Sequence, residues 1–130
     1  MTGSFDHETG EIPPPGHNSG HTDPEEQRVD DALDLLFRNI TKSAAAAGER
    51  MYLMEFRKSL KAILMAQDNN KTVALQERAA YSHPKYLDHL RRMRDAEVAY
   101  ETVRGERAWA ERVIDVYRTR QANTRPARKL

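Results

Sequence analysis

Apolar residues recur at helical spacing through most of the chain. Val29, Leu33, Leu36, Ile40, Ala44, Ala47, Met51 and Met54 follow one another at intervals of three or four, which places them on one helical face. Leu53, Phe56, Leu60 and the pair Ile63/Leu64 continue the pattern on a slightly rotated face. The start of this helical region is marked by Asp23, a good N-cap, and by Pro24, which fits the first helical position. Glu26 completes a capping-box pattern, and Glu25 and Glu26 suit the positive end of the helix dipole. Gly48 interrupts the run at about 1 kcal/mol relative to Ala, and Thr41-Lys42-Ser43 is weakly helical. These breaks predict two segments within residues 24–67, meeting at a bent or flexible joint near Gly48. One continuous helix is the alternative.

Asp68-Asn69-Asn70 is a turn signal. A short helix is predicted over 72–81, with Val73, Leu75 and Ala79 available for packing, and Ser82-His83-Pro84 ends it. Pro84 also opens the next helix, because proline is tolerated in a first turn. From there to Asn123 no proline or turn cluster intervenes, so a helix of roughly 60 Å is expected at 1.5 Å per residue. Its stripe is Tyr86, Leu90, Met93, Ala96, Tyr100, Val103, Ala110, Ile114 and Tyr117, close to a heptad, with Arg107 in the gap. Trp109, Val113 and Val116 widen it. Asp88–Arg92, Arg91–Asp95, Glu101–Arg104, Arg107–Glu111 and Asp115–Arg118 are expected to support the exposed faces.

A helix this long cannot bury its stripe alone, and the short turn region ahead of it folds it back on the preceding helix. The expected class is all-α: a long antiparallel helical hairpin with coiled-coil character over 24–123 (helices 24–67, 72–81 and 84–123). It is preceded by a disordered acidic tail, 1–23, and followed by a basic C-terminal tail, 124–130. Leu35, Phe37, Tyr52, Trp109 and Val116 lie off the main stripes. Of these, Phe37, Tyr52, Trp109 and Val116 are the candidate partner interface, for a second copy of the chain or a different protein.

Composition narrows the function classes. Leu, Ile, Val and Phe together number 23 of 130 residues, with no cysteine and a net charge of +1. A large enzyme, a disulfide scaffold and a deep enclosed active site are not expected from such a chain. No run approaches the ~18 apolar residues of a membrane helix, and the start lacks the basic and apolar regions of a secretory signal. A cytoplasmic protein with no membrane contact, no cofactor and no small-molecule substrate is the expectation. Charge is uneven along the chain. Residues 1–23 carry four acidic and no basic side chains, residues 24–83 nine of each, and residues 84–130 twelve basic against seven acidic.

The basic end supplies the first candidate site. Arg112, Arg118, Arg120, Arg125, Arg128 and Lys129 have the charge to contact a nucleic-acid backbone, or simply to complement the negative pole of a helix. No motif for base-specific readout accompanies them. Tyr81, Tyr86, Tyr100, Trp109 and Tyr117 are able to stack on bases, yet their helical spacing favours core packing. His17 and His21, with His7, have the spacing of a metal pair, but the surrounding Gly16, Gly20 and Pro13-Pro14-Pro15 oppose a helix there. Unliganded linker histidines, or a short peptide that docks elsewhere, fit that stretch better. Asp30, Asp31 and Asp34 are explained by the helix dipole, and no di-metal, nucleophile–base or phosphate-loop pattern occurs. The chain reads as a non-enzyme.

The stretches ERAAYSHPKYLDHL and AEVAYETVRGERAWAERVIDVYRTRQANTR resemble small helical proteins of tailed phages and prophages. Those proteins tend to end in a pattern like I-x-V-[WY]-R-[ST]-x-x-A, matched here by Ile114, Val116, Tyr117, Arg118, Thr119 and Ala122. The opening HETGEIPPPGHNSG resembles the starts of phage proteins from alphaproteobacterial hosts. The resemblance implies a phage early region devoted to replication, recombination or host takeover, and hence a bacterial host cytoplasm. The expected function is an accessory protein that associates with DNA, or with a DNA replication or recombination protein, through the basic C-terminal region. The alternative is an adaptor or inhibitor of a host or anti-phage protein, without nucleic-acid binding.

Overall fold

The computed structural model describes residues 23–125. They form three helices, α1 (Pro24–Gln67), α2 (Val73–Tyr81) and α3 (Pro84–Thr124), with no strand among the described residues. The all-helical class is as expected. The expected acidic tail, apart from Asp23, and residues 126–130 of the basic tail lie outside the described residues.

Local chemistry sets the helix ends. The Asp23 carbonyl accepts the N–H of Gln27 at 2.9 Å, closing the first turn, and Glu25 and Glu26 sit at the positive pole. After α1, the Asp68 carboxylate accepts the backbone N–H of Asn70 at 3.0 Å, an Asx turn. Thr72 then caps α2 from extended backbone, its hydroxyl accepting the N–H of Leu75 at 3.2 Å. His83 caps α3: its Nδ1 accepts the Lys85 N–H at 3.0 Å and its carbonyl takes the Tyr86 and Leu87 N–H groups.

The joint expected near Gly48 is absent. α1 runs unbroken for 44 residues. Glycine's cost is offset by the four alanines that precede it, the best helix formers, and by buried Asn39 and Leu53 on either side of the weak stretch.

The described residues divide into two compact units. The first holds α1 up to Asn39 and α3 from Glu106 onward; the second holds Ile40 to Gly105, including α2. In the first, Ala32 and Ala110 are buried. The Asn39 side-chain amide donates to Glu106 at 3.0 Å, the Tyr117 hydroxyl donates to Glu26 at 3.4 Å, and Arg120 pairs with Glu25. Partner numbers fall along α3 as they rise along α1, so these two segments run in opposite directions.

In the second unit Leu60, Leu64, Ala80 and Tyr86 form a core, with Phe56 and Met65 packed against it. Leu53, Ala96 and Val103 are buried along the same helices. Tyr81 meets Tyr86 edge-on at 5.3 Å, and Lys61 lies 4.7 Å from the centre of the Tyr81 ring while bonding Glu77 at 2.6 Å. Its ammonium is held well above the usual lysine range, first by the Glu77 hydrogen bond and then by Tyr81. Arg50 donates to Glu97 at 2.5 Å and stands 4.6 Å from the centre of the Tyr100 ring; the Glu97 hydrogen bond raises its pKa further.

The second expected run of α1 faces inward at Leu53, Phe56, Leu60 and Leu64, whereas the first run does so only in part. Ala32, Asn39, Leu53, Leu60 and Leu64 are buried, with Val29, Leu36, Ser43, Ala46 and Arg50 half-buried among them at the same three-and-four spacing. Leu33, Ile40, Met51 and Met54, placed inward by the sequence pattern, are exposed. The cause is chemical: Asn39 and Arg50 have hydrogen-bond partners on α3, so polar side chains occupy inward positions that an apolar count assigns elsewhere.

On α3 the expected stripe holds for Tyr86, Met93, Ala96, Tyr100, Val103, Ala110, Ile114 and Tyr117, all buried or half-buried. His89 replaces Leu90, and Glu106 rather than Arg107 fills the gap. Glu101–Arg104 and Asp115–Arg118 pair as expected, at 3.0 and 3.8 Å. Asp88 meets Arg91 instead of Arg92, and Asp95 meets Arg94 instead of Arg91. For Asp88, side chains three and four apart are about equally near and the choice falls to rotamers, while Arg94 reaches its sequence neighbour Asp95 through its long, exposed side chain.

Candidate functional site

In the first unit a shallow groove runs between α1 and α3. Ala32, Leu35, Val113 and Ala110 line one stretch of it, Val29, Val113, Val116 and Tyr117 the next, and Trp109 lines both. Arginines rim it: Arg28 and Arg38 from α1, Arg112 and Arg120 from α3. Helical repeat explains the α3 wall, since Trp109, Arg112, Val113, Val116 and Arg120 recur at three and four.

Trp109 is 65% exposed, so the core packing expected of it does not occur. Tyr86 is the buried aromatic of the expected set; Tyr100 and Tyr117 are half-buried and Tyr81 is exposed. The Tyr117 phenol is pushed above its usual range, first by burial and then by the Glu26 carboxylate it bonds.

The predicted basic residues separate into three groups. Arg112 and Arg120 line the groove with Trp109 and Val116. Arg118 is exposed and reaches Asp115, and Arg125 is exposed just past the end of α3. Arg128 and Lys129 lie outside the described residues, as do His7, His17 and His21. Of the predicted interface residues, Trp109 and Val116 meet in the groove. Phe37, 70% exposed, is not among its lining residues, and Tyr52 belongs to the second unit, stacked on Phe56 at 5.9 Å.

Not all of this charge is open. Arg38 is tied to Asp34 at 3.0 Å, Arg118 to Asp115, and Arg120 to Glu25. Arg28 and Arg112 are exposed and make no ion pair with any described carboxylate. Sequence reasoning missed Arg28, which sits among acidic neighbours at the start of α1 and has no excess of local charge to flag it. It also missed the two buried polar residues, Asn39 and His89. A three-and-four spacing that admitted polar residues would have found both.

Among the described residues, no three His, Asp or Glu side chains are grouped to hold a metal ion, and no helix is long and apolar enough to cross a membrane. The chain matches no protein-family model, no curated protein and no solved structure.

Proposed function

We propose that the chain is a non-enzymatic, phage-type accessory protein of the bacterial host cytoplasm. It associates with DNA, or with a DNA replication or recombination protein, through the basic C-terminal part of α3. The observation that carries this reading is the exposed set Arg112, Arg118, Arg120 and Arg125 on a segment whose positive balance was already legible in the sequence, with Arg112 free of any ion pair to a described carboxylate. Arg112 and Arg125, which make no ion pair with a described carboxylate, are free to displace counterions from a phosphate backbone, while Arg118 and Arg120 are already paired; binding through such contacts weakens steeply with salt. The test is a gel shift at about 50 mM salt, where phosphate contacts are strongest. A retarded band that fades with rising salt is expected; no retardation with single- or double-stranded DNA overturns the reading. Deleting residues 125–130 should weaken DNA binding.

A second reading is favoured by a different observation. In the second unit, Ile40, Met51 and Met54 share one exposed face of α1, and Tyr52 is exposed to one side of it. An apolar helix face of this kind supports a protein partner or a second copy of the chain. We infer the finer architecture to be an antiparallel hairpin with coiled-coil character, covered along this face by association. In the adaptor or inhibitor form of this reading, deletion of 125–130 leaves partner capture unchanged.

A further inference from the structure

Trp109 presents an indole to water in the middle of a helix, where large aromatics usually find cover. Beside it the groove offers an apolar wall, Val29, Val113 and Val116, and two guanidiniums, Arg28 from α1 and Arg112 from α3. Of the two acidic side chains lining the same groove, Glu25 is paired with a cation and Asp31 keeps its charge. Glu25 receives Arg120, and Asp31 accepts the Gln27 side-chain amide at 3.0 Å. Arg28 and Arg112 have no such partner among the described carboxylates. What remains open is a flat π surface flanked by cations.

We propose that this groove binds a single strand of nucleic acid, one base stacking on Trp109 while Arg28 and Arg112 hold neighbouring phosphates. The inference rests on the nucleic-acid reading above and narrows it to unpaired strands. A duplex keeps its bases stacked inside and offers the groove only phosphates, so the indole would gain nothing from it. An unpaired base of any identity has a π face, which suits a site whose most exposed aromatic surface is the Trp109 indole. The same features fit an acidic peptide less well, because a base fills the open indole face and a carboxylate does not.

Trp109 is the sole tryptophan, so indole emission, excited at the red edge where the five tyrosines do not absorb, reports on this groove. The test titrates the protein with an oligothymidine and with a duplex of equal length at about 50 mM salt, where phosphate contacts are strongest. Saturable quenching by the oligothymidine is expected. Trp109→Leu, followed by gel shift because it lacks the indole, should weaken oligothymidine binding about tenfold or more, with Trp109→Phe retaining most of it. Arg28→Gln combined with Arg112→Gln should reduce the slope of log affinity against log salt by about 1.4, two phosphate contacts on a single strand. Unchanged helical dichroism checks the fold of each variant. Equal binding of the duplex with no change in fluorescence overturns the inference and leaves the DNA reading standing. Absence of binding to either nucleic acid overturns both. Quenching by polyglutamate as strong as that by oligothymidine overturns the inference in favour of an acidic protein partner.

Discussion

The Nε2 of His89 lies 2.7 Å from the main-chain carbonyl oxygen of Leu53, and both residues are almost wholly closed off from water. A carbonyl only accepts, so the imidazole donates from Nε2. The ring also packs against Phe56, with centroids 5.6 Å apart. His89→Ala removes the donor and the ring together and should lower stability by about 2 kcal/mol, read from urea unfolding. His89→Phe keeps the ring volume and loses the hydrogen bond, and should cost about half as much.

The inward and outward faces of α1 make opposite predictions. Leu53 is 1% exposed, and Leu53→Ala should cost about 3 kcal/mol through lost burial and the cavity left behind. Ile40 is 59% exposed, and Ile40→Ala should change the stability of the isolated chain by no more than about 0.5 kcal/mol. If two copies associate along that face, the Ile40→Ala effect grows with protein concentration, which unfolding at two dilutions would reveal.

Much of this architecture was legible from spacing alone. The helix ends at Pro24, Gln67 and Pro84 follow from capping and turn chemistry, and the α3 stripe follows from apolar recurrence. The α1 stripe followed only in part, because Leu33, Ile40, Met51 and Met54 recur at helical spacing on the outward face. Asn39 and Arg50 point inward on the strength of Glu106, Glu97 and Tyr100, residues far away in sequence. The groove was half legible. Trp109, Val116, Arg112 and Arg120 stood out as apolar or basic excess, whereas the open state of Arg28 depends on which carboxylates its neighbours have already taken.

Gly48 and Gly105 both lie in helix interiors, and a Cβ added at either meets open space. Gly48→Ala and Gly105→Ala should each raise stability by about 0.5–1 kcal/mol, chiefly by restricting the unfolded chain. The double variant should show a near-additive rise in thermal midpoint, since the two side chains share no neighbour.

The Tyr117 hydroxyl must stay protonated to donate to Glu26. Its folded pKa is raised above the ordinary 10.0, so in the window above that value the unfolded chain loses the proton first. The folded state then binds more protons than the unfolded one, and stability falls as pH rises. The contribution is fully present below 10.0 and is lost as pH climbs through the raised folded value. Ultraviolet titration of tyrosinate should therefore lose a late-titrating component in Tyr117→Phe. Alkaline unfolding of that variant should be shallower.

Each unit carries a side-chain clasp between inward polar positions, Asn39 with Glu106 in the first and Arg50 with Glu97 in the second. A displacement by seven residues restores an apolar three-and-four rhythm, but it strands the amide of Asn39 away from its acceptor and the guanidinium of Arg50 away from its carboxylate. Paired helices without such clasps are free to ratchet past one another in heptad steps. The clasp in each unit therefore sets the register of its own pair of helix segments, and a variant that loses it, Asn39→Leu in one or Arg50→Leu in the other, frees that pair to settle in a shifted alignment.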